Sequence, residues 1–117
     1  MKINFLKLAK AAKQIADDKK GENIVVIDVK KMTEITNYFV IVTANSMPQI
    51  NAIVNEIEKT FKEDYDVKVI RRDGGKTAVN WKVLDFGGLI VHVMSQDLRQ
   101  LYDLESIWKK KKTSKKK

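Results

Sequence analysis

One stretch decides the fold: WKVLDFGGLIVHVM, residues Trp81–Met94. Two apolar runs flank Gly87-Gly88, and a glycine pair between β-branched and aromatic runs is a strong hairpin signal. A two-residue turn pairs Phe86 with Leu89, and successive side chains then point to opposite faces. We therefore predict two antiparallel strands whose two faces differ in chemistry.

One predicted face of the hairpin suits a core, since it is apolar apart from one lysine: Lys82, Leu84, Phe86, Leu89, Val91 and Val93. The other mixes large apolar groups with an acid and the chain's only histidine: Trp81, Val83, Asp85, Ile90, His92 and Met94. An exposed Trp81 and Met94 beside an acid would suit a protein-binding surface. The alternative is a covered face, with Trp81 and Met94 in the core and His92 hydrogen-bonded to Asp85.

Two amphipathic helices are predicted outside the hairpin. Residues 3–20 have apolar positions at helical intervals, with Gly21 at the expected stop. A second helix spans about 46–63, where Ser46 and Gln49 have capping-box spacing. A third helix, 96–109, carries periodic leucines and ends in a lysine-rich tail.

Three further strands complete the predicted sheet. Ile24–Val29 and Tyr38–Thr43 are almost continuously apolar, which is typical of central strands buried on both faces. Val67–Arg71 alternates weakly and is predicted nearer an edge, followed by a turn over Arg71–Asn80. The result is an α/β fold with a single mixed sheet of about five strands and flanking helices, in the order α-β-β-α-β-β-β-α. Helices packed in one layer would leave the second face of the sheet open near an edge.

The positive charge is concentrated at one end of the chain. The 117 residues carry 23 Lys and Arg against 15 Asp and Glu, a net +8. The segment KKKKTSKKK, 109–117, holds seven of these basic residues and no acid, so the remainder carries +1. We predict one domain, 1–108, and an unfolded tail, 109–117. The tail lysines either contact nucleic-acid phosphates or only solubilise the chain: Lys109, Lys110, Lys111, Lys112, Lys115, Lys116 and Lys117.

Several function classes are excluded or disfavoured. The chain has no cysteine, which rules out disulfides, Cys-based zinc sites and thiol nucleophiles. Its apolar runs fall far short of the ~20 residues that span a bilayer, and its N-terminus lacks a secretory core. We therefore expect a cytoplasmic protein without membrane contact. No serine lies in a nucleophile elbow and no metal-ligand spacing occurs, so we expect no catalytic residue, metal or cofactor.

Several motifs resemble one family in order and spacing over about residues 5–108. They include Ile35–Tyr38, Leu84–Gly87, Val91–Met94 and Leu101–Glu105, together with Trp81, Arg99 and Trp108. The chain is similar to the ribosomal silencing factor family, RsfS or Iojap-related proteins. It departs from the pattern in the basic 71–80 loop and at Asn37, Ala44, Met47-Pro48 and Asn80.

The resemblance implies a nucleotidyltransferase-like sheet without catalytic apparatus. It further implies binding to the large ribosomal subunit through ribosomal protein L-fourteen, a block on joining with the small subunit, and repression of translation when nutrients are scarce. Family members form homodimers when free, and organellar relatives act in large-subunit assembly. The predicted partner-binding residues are Trp81, Val83, Asp85, Ile90, His92, Met94, Tyr102 and Glu105. The competing hypotheses are a degenerate nucleotidyltransferase and a general RNA-binding protein.

Overall fold

The computed structural model describes residues 3–73 and 80–102, with the side chain of Tyr102 left out. The elements follow the predicted order: α1 Phe5–Asp18, β1 Glu22–Asp28, β2 Tyr38–Thr43, α2 Met47–Tyr65, β3 Arg71–Asp73, β4 Trp81–Asp85, β5 Leu89–Met94 and α3 Gln96–Tyr102. Within these ranges, no helix has the length and apolar character needed to span a membrane.

The five strands form one mixed sheet in the order β1-β2-β5-β4-β3. Strands β2 and β5 pair in parallel, and the other neighbours pair antiparallel. The predicted hairpin register is confirmed, since Trp81 lies opposite Met94 and Asp85 opposite Ile90. The Phe86 N–H donates to the Leu89 carbonyl at 2.8 Å and closes the glycine turn.

Helices α1 and α2 pack on one face of the sheet and enclose the core. Helix α2 begins as predicted: the Ser46 hydroxyl accepts from the Gln49 N–H at 3.2 Å, and the Gln49 side chain accepts from the Asn45 N–H at 2.7 Å. In the core, the Phe61 ring packs against Phe86 with centroids 4.8 Å apart. The apolar face predicted for the hairpin is confirmed as core, since Leu84, Phe86, Leu89, Val91 and Val93 are all buried.

Strand β1 lies at an edge, so its predicted position at the centre of the sheet is wrong. Its side chains are half-buried or exposed, whereas β2 is buried at all but one position, as predicted. The β1 run is continuously apolar because Val26 packs on the core while Val25 and Ile27 lie on the opposite face. An edge strand that contacts apolar groups on both sides therefore resembles a central strand in sequence.

Strand β3 begins where the predicted strand was to end. The segment before it closes α2, since the Val67 N–H donates to the Phe61 carbonyl at 2.9 Å. Pairing with β4 then covers Arg71–Asp73, so the prediction of a strand over Val67–Arg71 and a turn from Arg71 is wrong at this point. The predicted edge position is confirmed.

Helix α3 does not join the layer formed by α1 and α2. The Arg99 guanidinium Nη1 donates to Thr43 Oγ1 at 2.8 Å. Thr43 points to the sheet face opposite α1 and α2, because its strand neighbour Val42 lies in the core beneath those helices. The expectation that all helices pack on one side is therefore wrong.

Candidate docking surface

All five strands contribute side chains to the sheet face opposite α1 and α2, which we call the open face. Its members follow from the strand registers and from the alternation of side chains along each strand. They are Val25, Ile27, Phe39, Ile41, Thr43, Arg71, Asp73, Trp81, Val83, Asp85, Ile90, His92 and Met94. The structure thus brings together on one face the six hairpin residues predicted to bind a partner.

An aromatic row crosses the middle of the open face on three neighbouring strands. The His92 ring lies 5.4 Å from the Phe39 ring in an edge-to-face arrangement, with an interplanar angle of 84°. On its other side it lies 6.2 Å from the Trp81 ring at 41°. All three residues are half-buried. The row therefore presents a surface made of rigid rings that are inclined to one another.

His92 is uncharged in this setting. Burial lowers its pKa from 6.5 to about 4. The charged imidazolium would lose its hydrating water, and the surrounding rings do not stabilise the charge in place of that water. Its Nδ1 atom is buried and has no hydrogen-bond partner within 3–73 and 80–102. At neutral pH the aromatic row is thus free of charge.

The Asp85 carboxylate forms its hydrogen bond with the hairpin turn and not with His92. Its Oδ1 accepts from the Gly87 N–H at 2.8 Å and thereby fixes the hairpin turn. The alternative of a hydrogen bond between His92 and Asp85 is therefore wrong. Because the side chain is half-buried, its carboxylate also adds an acid to the end of the open face.

The open face is buried at one end. Thr43 and Met94 are fully buried at the end where β2 and β5 finish, and Ile41 is fully buried beside His92. The prediction of Met94 as an exposed anchor is therefore wrong. Trp81, which pairs with Met94, remains half-buried. The accessible area therefore extends from Trp81 toward the glycine turn, and the buried Met94 lies beside Trp81 at its closed end.

The β3 edge gives the open face a charged rim. Arg71 lies opposite Asp85 in the strand register, and its Nε is 3.6 Å from the Asp73 carboxylate. Both side chains of this ion pair are more than half exposed, so solvent and salt screen it and it adds little stability. The rim is thus available for polar contacts around the apolar row.

Sequence reasoning missed the part of the open face contributed by β1 and β2. Phe39 belongs to the aromatic row, and Val25 and Ile27 extend it toward the β1 edge. Alternation within β2 places Phe39 and Ile41 on a common face, which was a usable signal. The parallel pairing that sets Phe39 opposite Ile90 is a non-local contact and leaves no mark in the local sequence.

Several predicted contact residues lie outside the described residues: Glu105 and the lysines Lys109, Lys110, Lys111, Lys112, Lys115, Lys116 and Lys117. Tyr102 ends α3, but its side chain also lies outside the description. In the part of the chain that the structure describes, no three or more His, Asp or Glu residues come together as a metal site.

Comparisons with known proteins agree with the resemblance in sequence. The family "Ribosomal silencing factor during starvation", RsfS, matches residues 2–117. The chain is 35% identical to ribosomal silencing factor RsfS of Bacillus subtilis over 90% of this chain and 85% of that protein. It is 33% identical to the mouse protein named mitochondrial assembly of ribosomal large subunit protein 1, over 75% of this chain and 39% of that protein.

A solved structure shares the fold. The crystal structure of a protein from Chromobacterium violaceum superimposes with a TM-score of 0.83 at 27% identity, covering 91% of this chain and 87% of the other. The α/β fold with its mixed five-stranded sheet is therefore that of a known group of structures. Since the family match spans nearly the whole chain, the protein belongs to the ribosomal silencing factor family, RsfS.

Proposed function

We propose that this protein represses translation by binding the large ribosomal subunit at ribosomal protein L-fourteen and keeping the small subunit away. Family membership supports a role on the ribosome. The observation that carries the proposal is the aromatic row of Phe39, His92 and Trp81, which is neutral, rigid and half-buried on the open face.

The open face has the composition of a protein-binding surface. Tryptophan is the residue type most enriched at binding hot spots, and it supplies a large contact area at little cost in conformational entropy. Neutral His92 avoids the penalty of burying a charge beneath a partner. Asp85 at the rim would meet basic groups of the partner and set the orientation of binding. Apolar contact thus supplies affinity, and the rim supplies specificity.

The size of the protein suits a steric mechanism. The protein measures 25 Å along its shortest axis. This thickness is several times the spacing between two surfaces that touch each other directly. A body of this thickness on the joining surface of the large subunit would hold the small subunit out of reach. The protein needs no chemistry for this effect, and we propose that it is not an enzyme.

Co-sedimentation with isolated large subunits tests the docking surface. Trp81→Ala should weaken binding at least ~30-fold, which corresponds to the ~2 kcal/mol of a hot spot. Leu6→Ala is a matched apolar truncation on α1, on the other side of the sheet, at a side chain 40% exposed, and it should bind like the wild type. Equal affinities of the wild type and Trp81→Ala would refute the open face as the docking surface.

Two finer proposals concern the tail and the free protein. The seven lysines within residues 109–117 would add salt-dependent contact with ribosomal RNA, so deleting this segment should flatten the dependence of affinity on salt. An unchanged salt slope would contradict this role.

The free protein would form a homodimer in the cytoplasm, and equilibrium sedimentation of the purified protein at micromolar concentration measures its mass. A monomer under these conditions would contradict the dimer.

The enzymatic alternative has a separate test. A nucleotidyltransferase would bind nucleotide together with magnesium, because clustered carboxylates hold the metal against the phosphates. Calorimetric titration of the protein with ATP and magnesium should give no saturable heat. Saturable binding would favour the degenerate nucleotidyltransferase over a purely steric repressor.

A further inference from the structure

We propose that Met47 is an oxidation site, and that its sulfoxide weakens docking because the Met47 sulfur anchors the chain beside Trp81. The inference rests on the proposed function, in which Trp81 contacts the ribosomal partner, and adds to it a reversible control by peroxide. Met47 is the first residue of α2, which packs on the side of the sheet opposite the open face.

A hydrogen bond to sulfur joins the start of α2 to the start of β4. The Asn80 N–H donates to Met47 Sδ at 3.0 Å in a partly buried setting, and the Met47 side chain also packs against the hydrophobic core. Trp81, the first residue of β4, follows Asn80 directly. Both Met47 and Asn80 are positions at which the sequence departs from the family pattern. The sulfur thus holds the chain one residue before the tryptophan of the aromatic row.

The backbone of Asn80 shows that the bond to sulfur replaces a regular strand contact. Asn80 continues the β4–β5 register opposite Ser95, and the Ser95 N–H donates to the Asn80 carbonyl at 2.9 Å. In a regular hydrogen-bonded pair the Asn80 N–H would donate back to the Ser95 carbonyl. Asn80 instead has a φ of 69°, in the left-handed region, and its N–H donates to Met47. This conformation is uncommon for a residue with a side chain and persists where surrounding contacts hold it.

Trp81 depends on Asn80 for its place in the sheet. Hydrogen-bonded and non-hydrogen-bonded pairs alternate along an antiparallel ladder, so the pair of Trp81 and Met94 exchanges no backbone hydrogen bond. Toward β5, the tryptophan backbone is therefore held through its neighbours along the chain. Loss of the Met47 contact would leave the partly buried Asn80 N–H without its acceptor, which favours a rearrangement of this end of β4.

Oxidation of Met47 would remove the anchor. Hydrogen peroxide transfers one oxygen atom to the sulfur: the O–O bond breaks, the sulfur gives an electron pair to the new S–O bond, and water leaves. An N–H···O bond alone needs about 2.9 Å, so no oxygen fits between the sulfur and a nitrogen 3.0 Å from it. An oxygen on the other lone pair makes the sulfur electron-poor and a weaker acceptor. The polar sulfoxide also packs poorly against the core.

The exposure of the methionines provides a matched control. The chain has four methionines, of which Met1 lies outside the described residues and Met94 is fully buried. Met47 and Met32 are both half-buried, so both should react with peroxide. Met32 lies between β1 and β2, at the end of the sheet where β5 begins, whereas Trp81 pairs with the last residue of β5. Oxidation of Met32 should therefore leave Trp81 in place.

Peroxide treatment of the whole protein tests the inference, with peptide mass spectrometry to identify the oxidised methionines. Oxidised wild type should bind isolated large subunits about threefold to tenfold more weakly in co-sedimentation, since a displaced Trp81 loses part of its contact. Methionine sulfoxide reductase should restore the affinity, which excludes damage to tryptophan.

Two variants assign the effect to one sulfur. Met32→Leu should bind like the wild type before treatment and lose affinity on oxidation as the wild type does. Met47→Leu keeps the apolar volume but offers no acceptor to Asn80. It should resemble the oxidised wild type before treatment and change less than twofold on treatment. Circular dichroism confirms that each form is folded at the temperature of the measurement.

Tryptophan fluorescence tests the anchor without ribosomes. The chain has two tryptophans, so Trp108→Phe leaves Trp81 as the only one. In this background, oxidation should make Trp81 more accessible to quenching by acrylamide. The same treatment should have no effect on quenching when Met47→Leu is added.

Three results would overturn the inference: Met47 that stays unoxidised while Met32 is fully converted, unchanged Trp81 quenching after full oxidation of Met47, and a loss of affinity on oxidation that is as large in Met47→Leu as in the wild type. If Trp81→Ala weakens binding while oxidation of Met47 does not, the docking surface stands and only the control by Met47 fails. If the untreated wild type does not bind large subunits, the proposed function fails and the control of docking fails with it, whereas the fluorescence still decides whether Met47 anchors Trp81.

Discussion

Acid should destabilise this protein through His92, and the size of the effect follows from its burial. Folding lowers the pKa of His92 from 6.5 to about 4. Between pH 6.5 and pH 4, His92 is therefore protonated in the unfolded chain but mostly neutral in the folded protein. Stability then falls as the pH drops through this window. At about 1.4 kcal/mol per tenfold change in proton affinity, the free energy of unfolding should decrease by up to about 3 kcal/mol between pH 6.5 and pH 4.

The assay is urea unfolding followed by tryptophan fluorescence at pH 7, 6, 5 and 4.5. His92→Gln is the matched control, because glutamine keeps a polar side chain of similar size that does not titrate. Carboxylates titrate in both proteins, so the difference between the two pH profiles isolates the histidine. The wild type should lose stability relative to His92→Gln as the pH falls. Parallel profiles would refute the assignment of a buried, neutral imidazole to the aromatic row.

Three substitutions test the packing that supports the open face, each by denaturant unfolding. Gly88→Ala should cost about 1–3 kcal/mol, because a Cβ there would overlap the Phe5 ring of α1; unchanged stability would contradict this helix–turn contact. Ser46→Ala should cost about 1 kcal/mol through the lost cap on the Gln49 N–H, and a cost near zero would show that the cap is not formed in solution. Phe61→Ala should cost about 3–5 kcal/mol, since its ring is fully buried; a cost below about 1 kcal/mol would place Phe61 outside the core.

Local signals in the sequence predicted the parts of the fold that local contacts determine. The hairpin register follows from Gly87-Gly88 and from alternation, and the start of α2 follows from Ser46 and Gln49. The position of β1 could not be predicted in this way, because a half-covered edge strand and a central strand share an apolar composition. Sheet order depends on pairings between distant segments, such as the parallel contact of β2 with β5.

In the candidate site, too, local sequence signals predicted some features, whereas contacts between distant residues determine others. Alternation alone placed Trp81, Asp85 and His92 on one face, as the structure has them. The burial of Met94 and the outward position of Leu101 both involve the end of the face where Arg99 reaches Thr43, fifty-six residues away along the chain. The helical periodicity of the leucines predicts that Leu101 faces inward. It does not predict that Arg99 is buried. The buried contact of Arg99 with Thr43 accompanies a helix orientation that leaves Leu101 exposed, unlike the one that the pattern predicts.

The central claim is that docking by the open face prevents the ribosomal subunits from joining. The most direct measurement mixes separated subunits with purified protein and follows joined ribosomes by sucrose-gradient sedimentation. Wild-type protein at saturation should reduce the joined fraction strongly, whereas Trp81→Ala at the same concentration should leave most ribosomes joined. Joined ribosomes that form to the same extent with and without saturating wild-type protein would contradict the account.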